Sequence, residues 1–171
     1  MWYVIQTFSG EEERTANMIR KLVPSACFEE CFVPKRERIK KFRGSWNKTE
    51  EVLFLGYAFV ISEKPKDLYE ALKRIPRLTK VLGREDNYFF PLGEHEERFV
   101  RGIGDKSHKT GLSRVAVGKE KEILVVEGPL KSYEGNIVKV NLHRREAVVQ
   151  VDFMGRPMEL YMGIEMIDMK H

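Results

Sequence analysis

Trp2 to Ile5 are apolar and Gln6 and Thr7 polar, a short run that reads as a strand. The pattern stops at Ser9-Gly10-Glu11-Glu12, where Ser9 is placed to cap a helix and Glu12, three residues on, to complete a capping box. Thr15, Met18, Ile19 and Leu22 then recur at spacings of three and four, so a helix with one packing stripe is predicted, and Pro24 limits its length. Phe28 to Val33 reads as a strand, Ile39 to Thr49 as a charged hairpin with Gly44-Ser45 at its tip, and Val52 to Ile61 as a buried central strand. Pro65 suits the first position of a second helix, in which Leu68, Leu72 and Ile75 share a face before Pro76 ends it. A further strand is predicted at Thr79 to Leu82 and a short third helix at Glu94 to Val100.

The order βαβ, hairpin, βαβ predicts a ferredoxin-like α/β sandwich. Residues 104 to 113, polar and glycine-containing, read as a linker. Beyond Val115 the short apolar runs Ile123–Val126, Ile137–Val140, Ala147–Val151 and Met158–Leu160 alternate with turn residues, the pattern of a small antiparallel β-barrel. The expected class is therefore α+β, with an N-terminal domain over 1–103, a linker over 104–113 and a barrel over 114–171.

Composition adds limits. The 171 residues are 42% hydrophobic and 33% charged, enough for a buried core and a solvated surface. No run approaches the roughly 20 apolar residues that cross a bilayer, and the start lacks the pattern of a secretion signal, so a cytoplasmic protein without membrane contact is expected. Cys27 and Cys31 lack the second ligand pair of a structural zinc site and are expected as reduced thiols, with no metal and no cofactor. His95, His108, His143 and His171 are scattered, no nucleophile elbow or phosphate-binding glycine loop is present, and Asp86, Glu94, Glu96 and Glu97 fit the acidic start of a helix. No enzyme is expected. The net charge of +4 hides two concentrations: seven Lys or Arg against one Glu over 35–48, and nine against four over 106–145.

Three segments carry a family resemblance. Glu127-Gly128-Pro129-Leu130-Lys131-Ser132-Tyr133-Glu134-Gly135-Asn136-Ile137-Val138-Lys139-Val140 resembles a KOW motif. Trp2-Tyr3-Val4-Ile5-Gln6-Thr7-Phe8-Ser9-Gly10 is similar to the first strand and turn of the NusG N-terminal domain. Leu53-Phe54-Leu55-Gly56-Tyr57-Ala58-Phe59-Val60 resembles the family's Phe-Phe-Pro-Gly-Tyr strand, with Leu55 in place of proline. The chain thus resembles a NusG-type transcription elongation factor, which implies an NGN-type first domain and a five-stranded KOW barrel. It also implies that an apolar sheet face grips bacterial RNA polymerase, and by position Tyr3, Phe54, Leu55 and Tyr57 match that face, with Phe90 and Pro91 beside them. The alternative is that these rings fill the core.

Lys35, Arg36, Arg38, Lys40, Lys41, Arg43 and Lys48 could follow the phosphates of upstream DNA, with Trp46 against a base, or form a solvated face. His143-Arg144-Arg145, in the turn between two predicted strands, with Lys109, Arg114, Lys131, Lys139 and Arg156, could hold a nascent RNA hairpin, or simply solubilise the turn. Family members contact Rho or a ribosomal protein through a Phe-Gly-Arg segment; here Met154 stands at the phenylalanine position and Phe153 one earlier, which speaks against that contact. The basic turn and this departure make the chain similar to the specialised LoaP group of NusG paralogues, implying readthrough of terminators in particular operons. A general NusG factor coupling polymerase to Rho or the ribosome, and a ribosome-associated RNA-binding protein, are the alternatives. Nothing resembles a heptad seam, and a monomer is expected.

Overall fold

The computed structural model describes residues 1–78 and 89–168. The strand expected at Thr79 to Leu82 lies outside them, as do Asp86 and His171. The chain forms two compact units: Met1–Pro34 with Phe54–Phe99, and Lys35–Leu53 with the residues from Val100 onward.

The first unit holds a four-stranded antiparallel sheet of β1 (Trp2–Gln6), β2 (Glu30–Phe32), β5 (Tyr57–Ile61) and β6 (Phe89–Pro91) in the order β2-β5-β1-β6. Both central strands are buried on both faces, so they read as almost continuous apolar runs. Helix α1 (Glu12–Leu22) packs on β5 and β2. Its buried residues are Glu12, Thr15, Ala16 and Ile19, a stripe rotated from the expected one, which leaves Met18 half-buried and Leu22 exposed. Helix α2 (Pro65–Lys73) buries Leu68 and Leu72.

The expected cap at Ser9 is not made: the helix is entered through Glu11 without a side-chain cap. Glu12 reaches back instead, its carboxylate accepting the Gly10 N–H at 2.6 and 3.0 Å. It also accepts the Gly56 N–H at 3.5 Å, although only 1% of Glu12 is exposed.

In the second unit, β8 (Ser113–Val117), β9 (Ile123–Glu127), β10 (Ile137–Asn141), β11 (Glu146–Phe153) and β12 (Arg156–Met166) form a five-stranded sheet in the order β10-β11-β12-β8-β9. Within this sheet β12 pairs with β8 in parallel and the other neighbours pair antiparallel. Val115, Val149, Phe153, Leu160, Met162 and Ile164 are among its buried residues. Gly128, at φ +107, brings the β9 exit against Ser113, whose Oγ accepts the Leu130 N–H at 2.9 Å; a Cβ there would collide with the Ser113 backbone.

The charged hairpin belongs to this second unit. Strands β3 (Lys35–Phe42) and β4 (Ser45–Val52) pair over their full length and turn through Arg43 and Gly44, both at positive φ, one residue earlier than expected. The segment 104–113 is not a plain linker: β7 (Lys109–Thr110) pairs in parallel with β3, after a turn in which Asp105 accepts the N–H groups of Ser107 and Lys109 at 2.8 and 3.0 Å. Strand β3 also lies against β12. At Gly163 a Cβ would run into the Glu37 carbonyl and the Leu112 side chain, so only glycine lets the two backbones meet this closely. The partition at residue 104 therefore does not follow the compact units; α3 (Glu94–Ile103) carries the chain from one to the other.

Candidate functional site

In the first unit most of the anticipated polymerase-contacting rings face inward. Tyr3 is 5% exposed and stacks on Phe89 with centroids 4.9 Å apart. Phe54 is fully buried, edge-on to Phe59 at 5.3 Å and to Phe99 at 6.3 Å. Tyr57 is buried at the start of β5, and Phe90 is half-buried on β6 opposite Val4. The physical reason is register: Tyr3 and Phe54 point into layers closed by other aromatic rings. Leu55 is the exception, 58% exposed.

Phe8, outside the sequence expectation, is equally exposed. The Thr7 N–H donates to the Gly56 carbonyl at 2.8 Å, and the two exposed residues flank this pair. Glu12 accepts N–H groups from both turns and so holds them together. Beside Phe8 an open groove of about 890 Å³ runs along α1, with Met18 and Leu22 as apolar lining and Arg14, Lys21 and Arg77 among its polar residues. Phe8 falls just beyond the β1 apolar run, and its one sequence signal is an aromatic residue in a turn.

In the second unit, ion pairs join the hairpin to the β10–β11 turn. Arg36 and Arg38, anticipated along DNA, have side chains only 7% and 9% exposed. Their guanidinium groups meet Glu51 at 2.7 and 3.1 Å. Glu146, 5% exposed, pairs with Arg38, with Arg36 at 3.7 Å and with Arg144 at 3.8 Å. Lys40 completes the cluster at 2.7 Å from Glu51. Burial alone would raise the Glu51 carboxyl, but the Lys40 hydrogen bond and the Arg36 and Arg38 guanidiniums hold it down at about 2. Two of the hairpin cations are thus structural, because a buried charge must be paired. Lys41, Arg43 and Lys48 remain exposed, and Lys35 is half-buried.

Four cations meet two carboxylates in this cluster, so the surface above it stays positive. There Arg38, Lys40, Lys41, Trp46, His143, Arg144 and Arg145, with Ile39, line a cleft of about 460 Å³, with no acidic residue in its lining among the described residues. The turn supplying three of them is fixed locally: the Asn141 side chain accepts the Arg144 N–H at 3.0 Å, and Arg145 adopts φ +55. Arg145 donates to the Leu142 carbonyl and lies over the Trp46 ring, 4.8 Å from its centroid.

The other anticipated RNA contacts are dispersed. Lys109 pairs with Glu50 at 3.2 Å, Arg114 with Glu127 at 2.9 Å and Lys131 with Glu134 at 2.9 Å, whereas Lys139 and Arg156 are exposed outside the cleft. Phe153 is buried, and Met154 with Gly155 forms the tight β11–β12 turn at positive φ, so no aromatic ring stands on the surface at this segment. Cys31 is buried, which pushes its thiol up to about 12. Among the described residues there is no group of three His, Cys, Asp or Glu that could hold a metal ion. No described helix is long and apolar enough to cross a membrane.

The sequence model of the family described as transcription termination factor nusG matches residues 1–101. The chain is 27% identical over 168 residues to the transcription termination/antitermination protein NusG of Haemophilus influenzae, covering 95% of this chain and 91% of that one. It is 28% identical over 166 residues to the protein of the same name from Pasteurella multocida, covering 93% and 90%. A solved structure described as domain interaction in Thermotoga maritima NusG aligns over 95% of this chain and 92% of its own, at 19% identity and a TM-score of 0.48. With a family match across more than half its length, this chain belongs to the NusG family of transcription termination factors.

Proposed function

We propose that this protein is an antitermination factor of the LoaP type, which binds elongating bacterial RNA polymerase through its first unit and a nascent RNA hairpin through its second, a KOW barrel. It performs no bond chemistry. By binding the active form of polymerase more tightly than the paused form, it shifts the population toward elongation, and by no more than that difference in affinity. Family membership supports the polymerase contact, and the exposed pair Phe8 and Leu55 supplies an apolar patch suited to a protein partner. Such a factor works in the cytoplasm as a monomer.

The observation that carries the RNA reading is the cleft in which the tip of the β10–β11 turn meets the hairpin strands, where six basic residues and an indole form the lining among the described residues. The burial of Phe153 and the turn at Met154 favour the specialised reading over a factor that engages Rho or a ribosomal protein. Contact with upstream DNA would fall to the exposed Lys41, Arg43 and Lys48 rather than to Arg36 and Arg38. The test is binding to leader transcripts from the protein's own operon, comparing the parent with a double Arg144→Ala, Arg145→Ala variant. Selective loss of one transcript is expected, and retention of full affinity by the variant would refute the assignment.

A further inference from the structure

We infer that the cleft takes an unpaired RNA base, stacked on Trp46 opposite Arg145, with the flanking phosphates held by Lys40, Lys41 and Arg144. The inference rests on the RNA reading and narrows its ligand from a duplex surface to an unstacked nucleotide. Phosphate attraction alone needs only the cations, and a regular duplex offers no base face to a side chain. An aromatic ring among cations is instead the combination that holds single strands, because every base has a π face while the cations follow the backbone.

Trp46 fits that part. It is 44% exposed, whereas the other tryptophan of the chain, Trp2, is 4% exposed. The Arg145 guanidinium, 4.8 Å from the Trp46 centroid, occupies one face and pre-orients the ring; a base on the opposite face completes a guanidinium–indole–base stack. Lys41 is the cross-strand partner of Trp46, the Arg144 backbone N–H is held by the Asn141 side chain at 3.0 Å, and Lys40, Lys41 and Arg144 line the same cleft as the ring. The volume of about 460 Å³ lies within the usual range of small-molecule sites, roughly 300–1,000 Å³, and suits a nucleotide rather than a helix.

The experiment follows tryptophan emission and affinity while the full-length protein is titrated with oligoadenylate, with oligodeoxyadenylate and with a blunt RNA duplex. The parent and the variants Trp46→Phe and Trp46→Ala are compared. Oligoadenylate should quench the parent, Trp46→Phe should bind with similar affinity but without that quench, and Trp46→Ala should bind about 5- to 150-fold more weakly. The duplex should bind without quenching. Unquenched binding of oligoadenylate by the parent, or unchanged affinity in Trp46→Ala, would overturn the stack while leaving RNA binding intact. Tighter binding of the deoxy strand would overturn the assignment to RNA, and failure to bind any RNA would overturn the broader RNA reading along with the stack.

Discussion

Glu146 is a buried carboxylate that pairs with Arg36, Arg38 and Arg144 in the second unit. Replacing it with alanine removes one carboxylate from three guanidinium groups, two of them with side chains less than a tenth exposed. Breaking a buried pair from one side costs about 3–5 kcal/mol, since the remaining charge stays out of water. Glu51 still lies 2.7 Å from Arg36 and 3.1 Å from Arg38, which places the loss near the lower end, about 3 kcal/mol. Against a typical domain stability of about 5–15 kcal/mol this is a large fraction. With a urea slope of about 1.5 kcal/mol/M, the unfolding midpoint should fall by about 2 M. Trp46 emission provides the local signal, because this tryptophan sits in the same unit. A variant carrying Arg36→Met, Arg38→Met and Glu146→Leu should recover most of the loss, as the three buried charges leave together, Glu51 keeps Lys40 at 2.7 Å and Arg144 is exposed. A midpoint within about 0.3 M of the parent for Glu146→Ala would refute the claim that this carboxylate locks the hairpin to the sheet.

Three further outcomes follow from the same geometry. Glu51 is held near 2 against an ordinary 4.5, so the stability it contributes is complete above about pH 4.5 and is lost as pH falls toward 2; urea midpoints across that interval should drop in the parent and much less in Glu51→Gln. Gly163→Ala should destabilise the second unit by about 1–3 kcal/mol in the same denaturation assay, because its Cβ meets the Glu37 carbonyl with little room to give. In a pull-down with purified polymerase, Phe8→Ser with Leu55→Ser should weaken binding at unchanged thermal stability. Phe54→Ala, by contrast, should lower stability by about 3–5 kcal/mol because it empties a core position.

Much of the fold was legible because β1, β5 and β9 to β12 carry apolar runs bounded by turn residues, and the Gly128-Pro129 bend has one conformational solution. The position of the helix stripe was less so: Thr15 and Ile19 fit, but Met18 and Leu22 are apolar without being packed inward, and hydrophobicity alone does not distinguish a core stripe from a groove. The cleft was half legible. His143, Arg144 and Arg145 and the hairpin cations were each visible as charge runs, yet nothing local says that they share a wall. That depends on Glu51 and Glu146, two acids distant in sequence that consume Arg36 and Arg38, and on Gly163, whose missing side chain admits β3. The burial of Tyr3 and Phe54 was not legible for a related reason, since the aromatic partners that cover them, Phe89 and Phe99, come from later segments.

The central claim is that one unit engages polymerase while the basic cleft selects the transcript. Its most direct measurement is terminator readthrough by purified polymerase on templates with and without the operon's leader hairpin, using the parent and the Arg144→Ala, Arg145→Ala variant. Readthrough that requires both the hairpin and the two arginines is the predicted result; equal readthrough on templates lacking the hairpin, or by the variant, would contradict it.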